Sequence, residues 1–218
     1  MNAAPRIAAL FASGAVAYQT REDVPTDSLF AEEQQSLVRA VPKRSAEFAA
    51  GRACARAGLT QLGFAPVALP SAADRSPIWP AGATGSITHT HGFCAAVVAR
   101  RAQIRALGVD AEPLDSVKPH LWRRICTSEE LAILQTQDAT AAVRAATIIF
   151  SAKEAFYKCQ HTLSAEWLGF SDIGVELQAD GFLIRPNRAV QITAHQPGPW
   201  PGRYLYDAGL VITGVCIV

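Results

Sequence analysis

"FSAKEAFYK", Phe150 to Lys158, sets Lys153, Glu154 and Lys158 among good core residues. At about 100° per residue, Ile148, Ala152, Ala155, Phe156 and Cys159 share one helix face, which is expected to pack inward. Glu154 and Lys158 fall together on a different side, four residues apart. The ordinary reading of such a pair is a helix salt bridge contributing about 0.3–0.5 kcal/mol. Phe150 and Tyr157 flank that side too, so it is not a purely solvated face. An acid and a base beside aromatics is also what a phosphate-and-metal cleft requires. The helix alone leaves both readings open.

Three other stretches carry candidate chemistry. In "GVDAE", Gly108 to Glu112, strand geometry would point Asp110 and Glu112 to the same face, about 7 Å apart at the backbone. Like charges so placed want a cation, and two carboxylates with water and phosphate oxygens are a usual way to hold Mg²⁺. An exposed strand end, where acids are common, is the alternative. In "DRSPIWPAGATGSITHT", Asp74 to Thr90, His89 sits just after a strand begins; a lone histidine is most often a hydrogen-bonded structural residue. His89 and His91 could pair on zinc, but no cluster of Cys or His completes such a site. "GATGS" lacks the lysine of a phosphate-binding P-loop, and Ser86 is not in a serine-hydrolase elbow. "KRSAEFAAGRACAR" makes one helical segment basic through Lys43, Arg44, Arg52 and Arg56. That is either a solvated face or a phosphate-binding surface built on the forked guanidinium.

The 218 residues are half hydrophobic, enough for one large domain or two small ones. A net charge of +1 gives no support to a nucleic-acid or membrane-surface role. The five cysteines are scattered, without a C-x-x-C pair, which fits a reducing compartment rather than a disulfide framework. No apolar run reaches the ~18 residues of a membrane span. "RIAALFASGAVAYQ", with its Ala15-Val16-Ala17 ending, reads either as a first strand or as a weak secretory signal.

Along the chain, Ile7 to Gln19 is expected to be a strand region. Ser28 to Leu62 is expected to be helical, capped at Ser28 and broken or kinked at Pro42. A Pro- and Gly-rich loop follows, then strand material from "SITHTHGFCAAVVAR". The second half repeats the order: strand "ALGVDAEPL", helices "LWRRICTSEELAILQ" and "AAVRAATIIFSAKEAFYKCQ", and a hairpin in "GVELQADGFLIRP" turning at Asp180-Gly181. Thr127 or Ser128 is expected to cap a fresh helical turn. "RAVQITA" and "RYLYDAGLVITGVCIV" are expected to add strands. The class is mixed α/β (α+β), as two similar β-helix-β halves.

In order and spacing, "GSITHT", "GVDAE" and "FSAKEAFYK" resemble the three successive motifs of the 4′-phosphopantetheinyl transferases. "KRSAEFAAGR" and "RSPIWPAGATGSITH" resemble the branch that activates siderophore and other nonribosomal peptide synthetases, the enterobactin synthetase component D-like branch. The resemblance runs from about Lys43 to Lys158. It implies two pseudo-symmetric halves, residues 1–104 and 105–218, acting as one functional unit with the cofactor site between them. It implies Mg²⁺-dependent transfer of 4′-phosphopantetheine from coenzyme A to a serine of an apo acyl or peptidyl carrier protein, releasing 3′,5′-ADP. Asp110, Glu112 and Glu154 would gather Mg²⁺, with Glu154 also the general base. Lys158 would bind the diphosphate. Thr88 and His89 would touch the cofactor's phosphates, Arg75 would lie at the nucleotide end, and Arg44 and Arg52 would contact phosphate or adenine. Lys153 belongs to the motif without an assigned role. Ala111 stands where relatives carry bulkier aliphatics, and Thr88 and Thr90 where serines are frequent. The resemblance implies a cytoplasmic monomer; the alternative is a non-catalytic carrier-protein-binding protein that keeps the fold. The basic surface at Trp122, Arg123 and Arg124 is a candidate docking face for the carrier.

Overall fold

The computed structural model describes residues 1–38 and 40–218. It divides into two compact units, Met1–Arg105 with Val218, and Ala106–Ile217. Each pairs an antiparallel sheet with one long helix, the mixed α/β class expected from the sequence.

In the N-terminal unit the order is β1 (Asn2–Ala3), α1 (Pro5–Ala8), β2 (Val16–Thr20), α2 (Ala31–Gln34), α3 (Pro42–Gln61), β3 (Ala83–Thr90) and β4 (Phe93–Arg100). The sheet runs β1-β2-β4-β3. The Ile7 to Gln19 segment is therefore not one strand. Pro5 opens a helical turn, Ile7 is buried from it, and only Val16–Thr20 is extended, pairing with β4. Nor does Ser28 cap a long helix: it ends a 3₁₀ turn, its hydroxyl donating to the Pro25 carbonyl at 2.6 Å. The expected break at Pro42 is present: short helical turns precede it and α3 starts there, because a first-turn proline lacks only an N–H that would have had no helical partner. Cys54, Ala55 and Leu59 of α3 pack with Ala96 and Val98 of β4.

The C-terminal unit contains β5 (Ala106–Pro113), α4 (Pro119–Ile125), α5 (Ser128–Gln135), α6 (Ala139–Ser164), β6 (Ile173–Gln178), β7 (Gly181–Pro186), β8 (Trp200–Asp207) and β9 (Leu210–Ile217). Its sheet order is β5-β9-β8-β7-β6. Thr127 caps α5 with a full capping box: its hydroxyl accepts from Glu130 N, and Glu130 accepts from Thr127 N. Asp138 caps α6 without a reciprocal partner, its carboxylate accepting from Thr140 N and Ala141 N. Two expectations need correcting. "RAVQITA" forms a 3₁₀ turn, Gln191–Ala194, not a strand, with Ile192 buried in the core. The β6–β7 turn is Ala179-Asp180, and Gly181 is already strand, paired with Gln178. A Cβ at Gly181 would stand 2.4 Å from the Gly202 carbonyl, so strand proximity demands the glycine there.

The expected inward face of α6 is buried throughout: Ile148, Ala152, Ala155, Phe156 and Cys159 are at most 5% exposed. α6 lies directly on β5. A Cβ at Gly108 would sit 1.9 Å from the Ala155 carbonyl and 2.7 Å from Cys159 N. Those neighbours are backbone and cannot swing aside. No helix among the described residues is long and apolar enough to cross a membrane. Gly108→Ala is expected to destabilise the protein by about 3 kcal/mol or more, since helix and strand must part to admit one methyl. Urea denaturation monitored by circular dichroism measures it, and an unchanged midpoint would show that α6 does not need this approach.

Candidate active site

The close crossing of α6 over β5 brings the two acidic motifs together. Lys158 Nζ reaches back to β5, donating to Asp110 Oδ1 at 2.7 Å and to the Val109 carbonyl at 3.1 Å. Ser151 Oγ donates to Asp110 Oδ2 at 2.9 Å. Thr213 of β9, which stands opposite Asp110, approaches the Ser151 hydroxyl and carbonyl at 2.9 Å each. Asp110, 5% exposed, is thus held at both oxygens.

Glu112 and Glu154 are the strained partners. Burial pushes the Glu112 carboxyl up to about 7; the Asp110 and Glu154 charges add to the rise, and Ser116 and Lys158 oppose it. Burial likewise raises Glu154, with Lys158 opposing and Asp110 adding. These three carboxylates feel one another, and Lys158 alone does not neutralise them. They are hard oxygen donors of the type Mg²⁺ takes. Among the described residues no group of three acidic, histidine or cysteine side chains is already set to chelate a metal. Mg²⁺ in phosphate sites uses one or two carboxylates with waters and phosphate oxygens. The set therefore fits an ion shared with a phosphate ligand, not a closed protein cage.

Lys153 has a structural place that the sequence left blank. It is buried, donating from Nζ to Glu130 Oε2 at 2.8 Å, the Ile125 carbonyl at 2.9 Å and the Phe170 carbonyl at 2.7 Å. Glu130 also accepts from Val175 N at 2.6 Å. One buried ion pair thus joins α4, α5, β6 and the loop after α6 to the site helix. Its only sequence signal was the capping box. Beside Glu154 lies a mainly apolar cavity of about 220 Å³, walled by Tyr157 on α6 and by Trp167, Leu168 and Phe170 of that loop. Tyr157 meets Trp167 edge-on at 5.5 Å, and Phe150 meets Phe170 at 5.6 Å.

In the N-terminal unit Arg44 and His89 do come together. Arg44 Nη1 lies 2.5 Å from His89 Nε2, and Glu47 Oε2 stands 3.7 Å from His89 Nδ1. A guanidinium can only donate, so Nε2 accepts and the ring proton belongs on Nδ1, facing Glu47. Arg52 is placed differently from the expectation of a ligand contact. It is 4% exposed, stacked 4.1 Å over Phe48, and donates to the Leu69 carbonyl at 2.6 Å and Ser71 Oγ at 3.1 Å. Burial lowers even this guanidinium to about 10. Arg56 is likewise internal, gripping the buried Glu33 at 2.6 and 2.8 Å. Thr88 is buried too, as neighbouring residues in a strand alternate between faces and His89 takes the exposed one. Arg75 is exposed and sits at φ 71°, in a tight turn that Asp74 stabilises by accepting from Ser76 N and Oγ. That left-handed backbone costs a non-glycine residue roughly 1 kcal/mol. Lys43 lines a separate cavity of about 500 Å³ with Arg21, Thr90 and Phe93.

Residues 32–99 match the family model for the 4′-phosphopantetheinyl transferase N-terminal domain, and residues 106–204 that for the 4′-phosphopantetheinyl transferase superfamily. The 4′-phosphopantetheinyl transferase Svp of Streptomyces mobaraensis is 35% identical over 224 residues, covering 97% of this chain and 89% of that protein. The chain belongs to the 4′-phosphopantetheinyl transferase superfamily. The transferase PptT of Mycobacterium tuberculosis is also similar, 35% identical over 202 residues, with 89% of this chain and 88% of that one covered. Enterobactin synthase component D of Salmonella typhi is 37% identical over 135 residues, with 61% and 55% covered. The family and enzyme class implied by the sequence motifs are those found.

Glu112 gives a pH test of the transferase's carboxylate cluster. Its folded carboxyl keeps its proton up to about 7, whereas the ordinary value is 4.5. Between those values the native state binds the extra proton, so this group's contribution falls as pH rises through the window. Glu112→Gln is expected to remove that slope and to be more stable than wild type at pH 8, but not at pH 4. Urea midpoints at the two pH values check it.

Proposed function

We propose that this transferase moves the 4′-phosphopantetheine group of coenzyme A to a serine hydroxyl of an apo carrier protein, with Mg²⁺ and with release of 3′,5′-ADP. The observation that carries the reading is the cluster of Asp110, Glu112 and Glu154 around Lys158, with two carboxylates held above their ordinary proton affinity. Such a cluster is balanced by a divalent cation and a diphosphate arriving together.

In the proposed reaction the serine oxygen attacks the phosphorus that bears the pantetheine. The bond from that phosphorus to the bridging oxygen breaks, and the electron pair leaves with 3′,5′-ADP. The serine proton passes to Glu154, directly or through a water molecule. Asp110, fixed by Ser151 and Lys158, and Glu112 are assigned to hold Mg²⁺ with Glu154. When bound, the ion offsets charge on the diphosphate oxygens and so stabilises the displacement. Lys158 is assigned to the diphosphate and the leaving oxygen. Arg44 and His89 are assigned to the cofactor's phosphates and Arg75 to its nucleotide end. Thr88 and Arg52, being buried, are assigned the support of that surface. The uncharged pantetheine arm suits the cavity beside Glu154. Similarity to enterobactin synthase component D supports a siderophore or peptide-synthetase carrier as acceptor. A monomer acting in the cytoplasm completes the reading, in keeping with its five free cysteines.

Incubating the protein with coenzyme A, Mg²⁺ and an apo carrier is expected to add about 340 Da to the carrier by mass spectrometry, the mass of the transferred group. Glu154→Gln should lower the rate by about 10²–10⁴-fold with an unchanged circular dichroism spectrum. A normal rate in that variant would remove the base assignment. Coenzyme A is expected to raise Tm further when Mg²⁺ is present, and by more at pH 8 than at pH 6, because the ion competes with protons at Glu112. A metal-independent shift would remove the metal assignment.

A further inference from the structure

The cavity beside Glu154 owes its outer wall to a loop, and the loop is gripped from outside by a residue none of the motifs contains. α6 ends at Ala165, which takes a left-handed φ of 52° and turns the chain away. Trp167, Leu168 and Phe170 then form the wall, and the chain enters β6. Leu168 is buried and Phe170 is fixed by Lys153, but the Trp167 side chain is largely exposed. Its stem is held by Arg188. That guanidinium takes Glu166 Oε1 at 2.7 Å, and it takes Asp172 with two prongs, Nε to Oδ1 at 3.0 Å and Nη2 to Oδ2 at 3.1 Å. Nη2 also approaches the Trp167 carbonyl at 3.4 Å. Both acids are themselves tied to backbone: Glu166 Oε2 accepts from Gln191 N at 2.7 Å, and Asp172 Oδ2 accepts from Gly169 N at 2.8 Å.

We infer that Arg188 is a positioning residue for the transferase: by clamping Glu166 and Asp172 at the two ends of the loop, it sets the place of Trp167 and thereby the width of the cavity that receives the pantetheine arm. The inference rests on the proposed function. Partly exposed ion pairs contribute little to global stability, and Leu168, Phe170 and Lys153 anchor the loop without Arg188. Losing the clamp therefore loosens the wall more than the fold. A wall that touches the arm equally before and during the reaction contributes to binding but not to the chemical step, so its loss appears in KM.

The test is steady-state transfer to an apo peptidyl-carrier domain, with coenzyme A varied, for the full-length wild type, Arg188→Ala, Arg188→Lys and Asp172→Asn. Arg188→Ala is expected to raise KM for coenzyme A about tenfold while kcat stays within about threefold. Asp172→Asn should act in the same direction, and the double variant should add little to either single one. Arg188→Lys, which keeps the charge but not the two-pronged grip, should fall between wild type and Arg188→Ala. A folded Arg188→Ala protein with KM within about twofold of wild type would overturn the inference, as would a loss confined to kcat. Should Arg188→Ala fail to fold, Asp172→Asn decides by the same criterion. Wild type without turnover would sink the proposed function and this inference with it, whereas an unmoved KM in the variants sinks only the clamp.

Discussion

The C-terminal unit depends on one close approach. Gly108 lets the backbone of α6 lie against β5 with no side chain between them. Everything chemical in that unit follows from the short distance. Asp110 and Glu112 come two and four residues after the crossing point along the strand. Glu154 and Lys158 lie on either side of Ala155 along the helix. Any larger residue at 108 would separate the two motifs by about the width of a methyl group, and a 2.7 Å contact such as Lys158 to Asp110 would not survive it. In the N-terminal unit Gly51 and Gly58 of α3 make room for sheet side chains instead: a Cβ there would meet the Ile87 side chain at 2.8 Å and the Val98 side chain at 2.6 Å.

That packing also creates an electrostatic imbalance. Three carboxylates are gathered where water is scarce, and one ammonium answers them. Asp110 is satisfied by Lys158 and Ser151, so the cost falls on Glu112 and Glu154, whose proton affinities rise. Elsewhere in the unit a buried charge is matched: Lys153 and Glu130 use one another and nearby backbone carbonyls and amides. The contrast separates structure from function within one motif. Lys153 is buried and its ammonium is spent on Glu130 and backbone carbonyls, while Glu154, the very next residue, is only half-buried beside the cavity.

Much of this was legible along the chain. Period-3.6 apolar spacing marked α6 and its inner face, and period-2 spacing put Asp110 and Glu112 on one side of β5. The capping box at Thr127 and Glu130 was readable because its contacts span three residues. Errors arose where local preference was overruled or ambiguous. Ser28 is a favoured helix-capping residue, yet it ends a 3₁₀ turn and starts no long helix. "RAVQITA" has strand-forming residues, yet it closes into a 3₁₀ turn with Ile192 in the core.

The sequence by itself determined the types of the long, periodic elements, the motif order and the side chains available for metal and phosphate chemistry, because these rest on periodicities and residue types within a few positions. Only the tertiary structure decided which charges are spent internally. Arg44 and Arg52 look alike in one basic helix, but Arg44 reaches His89 while Arg52 is sealed over Phe48. Lys153 and Lys158 look alike in one motif, but they serve Glu130 and Asp110 respectively. Those assignments depend on partners more than 20 residues away in the chain for Lys153 and more than 40 for Arg44 and Lys158. Burial and hydrogen bonding at such separations are set by how the layers meet, and no local pattern encodes that.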